Sequence, residues 1–295
     1  MFYPNRKIQI IDIAGVVAGG TATINCPKGP RYKVIVVEMR DTARAALTGP
    51  GLAFSSGDIQ VIIGGNIIRR ATATQIDKIN SSQGPQFVSL SVNGAANGGG
   101  ITRLPIFFEQ PWRKRADFQN GLALETGWLG AKDSFQIKVP IAAGVTPVLT
   151  CYAVVDDFSS GKPNAIEKWD TDDLNTNGAA PSKVDVFNGL PATDLIEQIS
   201  LFDTSDAKTV NTARLTVNGA VIHEDMTRDQ NDMISTVYDM YQVSLAGIYN
   251  ITFDHDDLFE SLRPVSSIQS SQMIATLSAA SAGTMRRIIQ TIGTP

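Results

Sequence analysis

Apolar and polar positions alternate along most of this chain, in short runs broken by Gly and Pro, which is the mark of half-buried β-strands. The runs predict strands over 7–13, 21–26, 32–39, 87–92, 104–108, 134–141 and 148–155, and a strand or hairpin over 59–68. A second series follows over 184–187, 195–202, 213–222, 243–253, 273–277 and 285–292. The densest β-branched run is YKVIVVEM (32–39), predicted to be a central strand. Residues 41–56 are small and Gly-rich, with room for a short helical turn around 43–47.

One stretch departs from the strand period. IIGGNIIRRATATQIDKI (62–79) reads as a strand, a break and a helix. Thr72 stands three residues before Gln75, the spacing of a capping box, and Ile76 and Ile79 fall on one helix face. Shifted by 155 positions without a gap, the stretch falls on VNGAVIHEDMTRDQNDMI (217–234) with six identities in eighteen positions: Gly219, Ile222, Thr227, Gln230, Asp232 and Ile234. The plain alternative is two unrelated strand–turn–helix pieces with ordinary caps. The flanks argue for a repeat, because two weaker matches keep the same order. PKGPRYKVIVVEM (27–39) resembles NGLPATDLIEQISLF (188–202), and FQIKVPIAAGVTPVL (135–149) resembles QMIATLSAASAGTMRRI (272–288). Many short strands, few helices and Gly/Pro turns predict an all-β sandwich or barrel, present twice.

Between the two series, 156–183 is polar and carries paired acids, Asn, Gly and two prolines, so a linker or long loop is expected there. The predicted domains are 1–155 and 184–295. At 295 residues, 43% hydrophobic and 18% charged, the chain is globular and long enough for two cores. A net charge of −4 argues against a protein that coats nucleic acid, and no sequence-specific nucleic-acid partner is expected. Cys26 and Cys151 are the only cysteines; neither lies in a CxxC motif, and both sit in apolar alternating runs, so buried free thiols are expected. MFYPNRKIQIID has no long apolar stretch or small-residue cleavage site, and no window is apolar enough to span a bilayer; synthesis and folding in a reducing cytoplasm are expected.

Sequence motifs propose little catalytic chemistry. There is no Gly-x-Ser-x-Gly elbow, and the Gly-rich run 98–100 enters a strand, whereas a phosphate loop opens a helix. In FDHDDLFE (253–260), Asp254, Asp256 and Asp257 have the density of oxygens that holds Ca²⁺, with His255 and Glu260 beside them. The run lacks the Asp-x-Asp-x-Asp-Gly pattern, and a solvated acidic loop is the plainer reading. His223 takes the place held by Ile68 in the first copy and reads as a strand-end histidine. Arg113, Lys114 and Arg115 follow Pro111-Trp112 at a strand end; they suit a contact to lipid or nucleic-acid phosphate, or a solvated or subunit-interface loop. Arg6 and Lys7 make the N-terminal segment a candidate arm toward a membrane or a neighbouring subunit.

GVVAGGTATINCPKGPRYKVIVVE (15–38), the 64–79 strand–helix and LPIFFEQPWRKRADFQNGLAL (104–124) follow one another as in the N-terminal domain of certain viral coat proteins. The chain resembles the double jelly-roll major capsid proteins of tailless icosahedral bacteriophages with an internal membrane, of the corticovirus and autolykivirus type. The resemblance covers about residues 8–150, and the internal repeat extends it to the second half. It implies two eight-stranded jelly rolls, each with a short helix, and no enzymatic activity. It further implies a homotrimer of pseudo-hexagonal outline that tiles a shell around a membrane vesicle and genome, in contact with vertex proteins. Two similar domains times three copies give six similar edges. The alternative is a virion spike or a receptor- or carbohydrate-binding β-sandwich. That reading has thin support in three tryptophans (Trp112, Trp128 and Trp169) and 7% aromatic content. A cupin-like enzyme would need a histidine cluster, and the chain has only His223 and His255.

Overall fold

A computed structural model of the chain describes residues 6–43, 47, 49–92, 99–113, 119, 121–156, 165–176, 183–188, 194–203, 210–237, 247–253, 263–264, 270–277 and 283–294. They divide into two compact units, Met1–Ser81 with Pro85–Ile166, and Glu167–Thr294 with Ser82–Gly84.

In chain order the first unit contains β1 (Arg6–Ile10), β2 (Ile13–Ala14), β3 (Thr21–Asn25), β4 (Arg31–Asp41), α1 (Pro50–Ala53), β5 (Asp58–Ile63), β6 (Asn66–Thr72) and α2 (Ala73–Gln83). It continues with β7 (Leu90–Val92), β8 (Gly100–Phe107), β9 (Leu124–Glu125), β10 (Phe135–Pro140) and β11 (Pro147–Asp156). One sheet runs β1-β11-β4-β8-β7, with β9 also on β4; the other runs β2-β3-β10-β5-β6. Strands adjacent in sequence mostly lie in different sheets, so the chain wraps two antiparallel sheets around one apolar seam. β4 lies mid-sheet, as its β-branched run predicts. Its Ile35, Val37 and Met39 are fully buried in alternation. The ladder to β11 skips Lys33, between the Val34–Val154 and Tyr32–Val155 pairs, and this bulge in β4 breaks the period and lets Tyr32 point inward as well. The Tyr32 ring meets Phe135 of β10 edge-on at 5.0 Å, closing the seam across the two sheets.

The second unit repeats the order with β12 (Ile166–Thr176), β13 (Lys183–Asn188), β14 (Leu195–Phe202), β15 (Val210–Val217), β16 (Ala220–Thr227), α3 (Arg228–Val237), β17 (Ile248–Thr252), β18 (Arg263–Pro264), β19 (Ser271–Leu277) and β20 (Gly283–Gly293). Its sheets run β12-β20-β14-β17, with β18 on β14, and β13-β19-β15-β16. With the short β2, β7, β9 and β18 set aside, the order 1-11-4-8 over 3-10-5-6 becomes 12-20-14-17 over 13-19-15-16. That is the same jelly roll drawn twice. The three sequence matches fall on equivalent strands: β4 on β14, β10–β11 on β19–β20, and the β5–β6–α2 unit on β15–β16–α3. Both hairpins turn through two left-handed residues, Gly64-Gly65 and Asn218-Gly219, which fits the twist of a two-residue turn. The second turn sits one position earlier than the shift of 155 predicts, and β15–β16 carries two register shifts where β5–β6 has one.

Both capping boxes form as predicted. Thr72 N donates to Gln75 Oε1 at 3.0 Å and Gln75 N to Thr72 Oγ1 at 3.2 Å. The Thr227–Gln230 pair repeats this at 3.0 and 3.4 Å.

The structure corrects three readings. The expected linker 156–183 contains β12, an acidic strand whose partners are far along the chain. Arg286 grips Asp173 with two nitrogens at 2.6 and 2.9 Å, and Arg287 donates to Asp170 at 3.0 Å. The strand expected over 213–222 is two strands, because Asn218-Gly219 turns the chain. The strand expected over 87–92 is a 3₁₀ turn, Pro85–Phe87, followed by the short β7. The helical turn expected around 43–47 falls mainly on residues outside those described; a short helix, α1, begins at Pro50, whose fixed φ suits a first helical turn. Residues 44–46 lie outside the described residues.

Replacing either capping threonine should cost about 1 kcal/mol. Thr72→Ala and Thr227→Ala are therefore each expected to lower the thermal midpoint of their own unit by about 2–4 °C. Calorimetry of the two variants would show equal shifts if the boxes are energetic equivalents.

Candidate functional site

The predicted basic segment begins where β8 ends. Phe108 N and Glu109 N both donate to Lys33 O, at 2.8 and 3.0 Å, so the chain stays on the β4 side as it leaves the sheet. Phe87, Phe107 and Trp112 then pack mutually edge-on, with centroids 5.5–5.8 Å apart. Beyond them the loop closes on itself. Gln110 N donates to Gln119 O at 2.9 Å, Gln119 Nε2 donates to Arg113 O at 2.6 Å, and Arg113 Nε donates to Gln110 Oε1. Arg113 is 1% exposed. It is a buried organiser of this loop, and the expectation that it meets a phosphate does not hold: a guanidinium enclosed by its own loop has no surface to offer. Lys114 and Arg115 lie outside the described residues. Arg6 and Lys7 stand exposed at the start of β1, opposite Val155 and Val154 of β11.

Behind this loop is an ion cluster that no motif announced. Lys33 Nζ lies 3.9 Å from Glu109 Oε2 and 3.8 Å from Asp156 Oδ2. Burial raises the Glu109 carboxyl above its ordinary range; Lys33 and Arg31 oppose this, and Asp156 adds to it. The three residues come from β4, the β8 exit and the end of β11, so only the register of the sheet brings them together.

His223 is likewise structural. It is 7% exposed and hydrogen-bonds Tyr249 Oη at 3.0 Å; that hydroxyl also donates to Met226 O at 3.1 Å. Cys26 and Cys151 are buried free thiols, as predicted. Burial pushes Cys151 up to about 12, and burial together with Cys151 pushes Cys26 well above its usual value, so neither is a ready nucleophile. The tryptophans are also engaged by the protein: Trp128 Nε1 donates to Glu125 O at 2.9 Å, and Trp169 Nε1 to Glu167 Oε1 at 2.5 Å. The run holding Asp254, Asp256 and Asp257 lies outside the described residues. Among the described residues no cluster of three or more acidic, His or Cys side chains is placed to hold a metal, and no helix is long and apolar enough to cross a membrane.

The sequence model for the viral coat protein P2 N-terminal domain matches residues 7–156, more than half of the chain. The chain belongs to this family of viral coat proteins. Its fold is that of the major capsid protein P2 from bacteriophage PM2, at a TM-score of 0.77 and 17% identity over 99% of this chain and 98% of that one. The major capsid protein of Sulfolobus turreted icosahedral virus superposes at 0.69 with 9% identity, over 99% and 97% of the two chains. The PBCV-1 capsid protein gives 0.67 with 13% identity, over 99% and 93%. No curated protein sequence matches. The identities are low and the coverage is near complete, so the resemblance lies in the double jelly roll itself, and the capsid role is a structural one.

In a coat protein the working surfaces are faces and edges. Several apolar side chains of this coat protein stand exposed: Ile11 at 84%, Val17 at 62%, Met233 at 68% and Val237 at 70%. Sequence reasoning passes over them because an apolar residue in an alternating or helical run is counted toward the core.

Because folding raises the Glu109 carboxyl, the folded chain holds a proton that the unfolded chain has released, over the interval from 4.5 up to the raised value. Stability of the first unit should therefore fall as pH rises through that interval. Glu109→Gln should flatten the slope. Thermal unfolding followed across the mildly acidic range would check it, and an unchanged slope would remove Glu109 from the account.

Proposed function

We propose that the chain is a major capsid protein acting as a homotrimer, whose pseudo-hexagonal capsomers tile an icosahedral phage shell around a membrane vesicle and the genome. The observation that carries this reading is the duplicated strand order: two jelly rolls of one topology in a single chain. Three copies supply six similar units, which permits near-hexagonal packing from one gene product. Function then resides in subunit contacts and not in a catalytic centre. Contacts within a capsomer are the stronger; those between capsomers are weaker and many, so a shell can assemble reversibly and still hold. Vertex proteins meet the shell where the lattice closes. Arg6 and Lys7 are exposed and cationic, which suits an anionic membrane surface. Synthesis in the host cytoplasm fits two buried, unpaired thiols.

Light scattering on the purified chain tests the reading. A stable species near three times the 31.6 kDa chain mass is expected. Adding a calcium chelator tests the acidic run 254–257; release of monomers would give Asp254, Asp256 and Asp257 a role as ion ligands. A strictly monomeric chain at high concentration, with and without chelator, would overturn the capsomer.

A further inference from the structure

Helix α3 is inside out. The side it turns inward carries Arg228, Asn231 and Ser235, all buried; Arg228 donates to Ile248 O, and Asn231 Nδ2 donates to Asn250 O at 2.7 Å. The opposite side carries Met233, Ile234 and Val237, exposed by 68, 40 and 70%. A helix seated on its own sheet ordinarily does the reverse, burying the apolar stripe and leaving the polar one in water. The internal repeat sharpens the contrast. Ile79 of α2 stands where Ile234 stands in α3, and Ile79 is only 4% exposed; Lys78 of α2 stands where α3 has Met233. The isoleucine is covered in the first copy and 40% exposed in the second, and at the position before it a lysine has become an apolar side chain.

Charge indicates what covers α3. Residues 1–166 hold 17 Lys and Arg against 11 Asp and Glu, a net +6; residues 167–295 hold 8 against 18, a net −10. The exposed charges at 224, 225 and 229 have the same sign: Glu224 and Asp225 stand near the end of the strand that leads into α3, and Asp229 lies in its first turn. The equivalents of Glu224 and Asp225 in the first unit are Arg69 and Arg70. An exposed apolar face on a segment of net negative charge fits a partner of net positive charge, and the first unit of this chain has that sign. A contact between two second units would set −10 against −10.

We propose that the Met233–Ile234–Val237 face of α3 is the seat for the first, basic unit of a second copy of this chain, making a head-to-tail contact. The proposal rests on the trimer reading and adds to it which surface closes the ring. A heterologous contact of this kind closes when its rotation divides the circle. Covering the apolar face excludes water from it, while the opposed charges steer the approach and set which unit meets which.

The test uses the full chain. The double substitution Met233→Lys with Val237→Lys keeps good helix formers on an exposed face, so folding, checked by circular dichroism and cooperative thermal unfolding, should persist. It puts two cations against a basic partner. The expected result is a loss of the three-chain species, with the mass falling to that of one chain. As a second readout, Met233→Cys places a thiol on the face of a chain whose own cysteines are buried. That thiol should be protected from a maleimide in the three-chain species and become reactive when high salt or dilution releases single chains. A Lys variant that stays trimeric, or an introduced thiol that is labelled rapidly within the trimer, would overturn the contact and leave the trimer standing. A wild-type chain that is monomeric throughout would overturn both.

Discussion

Each unit depends on one seam, the apolar contact between the inner faces of its two sheets. A sheet with one oily face cannot stand alone in water, so the second sheet is obligatory. In the first unit Tyr32 and Phe135 meet across the seam at 5.0 Å, and Phe108 joins Phe135 at 5.9 Å. In the second, Ile199, Leu201, Ala213, Leu215, Met273 and Ala275 belong to one buried cluster, contributed by both sheets. Once the seam is set, strand order follows from wrapping a long antiparallel ribbon around it. The loops are then free to diverge, and they have. Beyond the hairpin–helix unit the two copies share little sequence and still keep one topology.

Legibility tracks locality. Both capping boxes can be read from the sequence because donor and acceptor lie three residues apart, and the alternating runs predict most strands because burial period is a local property. The misses are non-local. β12 reads as a linker because its stripe of acids has no local reason to pair; its reasons are Arg286 and Arg287, more than a hundred residues away. Arg113 reads as an exposed cation because nothing nearby in sequence shows that Gln110 and Gln119 fold a loop around it. The Lys33–Glu109–Asp156 cluster is assembled by sheet register from three distant segments. The hairpin 210–227 is a different failure: the Asn-Gly turn signal is present, and the apolar run spanning it hides the break.

A duplicated fold solves a geometric problem for a shell. Neighbours in a hexagonal sheet must look alike around six directions, while one chain copied three times offers only three. Two units of one topology supply the missing directions at the level of shape, and nothing requires them to match in chemistry. Here they have separated: the seam residues stay apolar in both copies, while net charge has drifted to opposite signs, +6 against −10. Shape and charge therefore carry different information. Equal shape lets any unit occupy any of six positions. Opposite net charge disfavours contacts between two second units and favours contacts between unlike units. Screening at physiological salt confines that preference to about 8 Å, the range of direct contact. It therefore acts at the faces that touch and leaves more distant parts of a shell free to adjust.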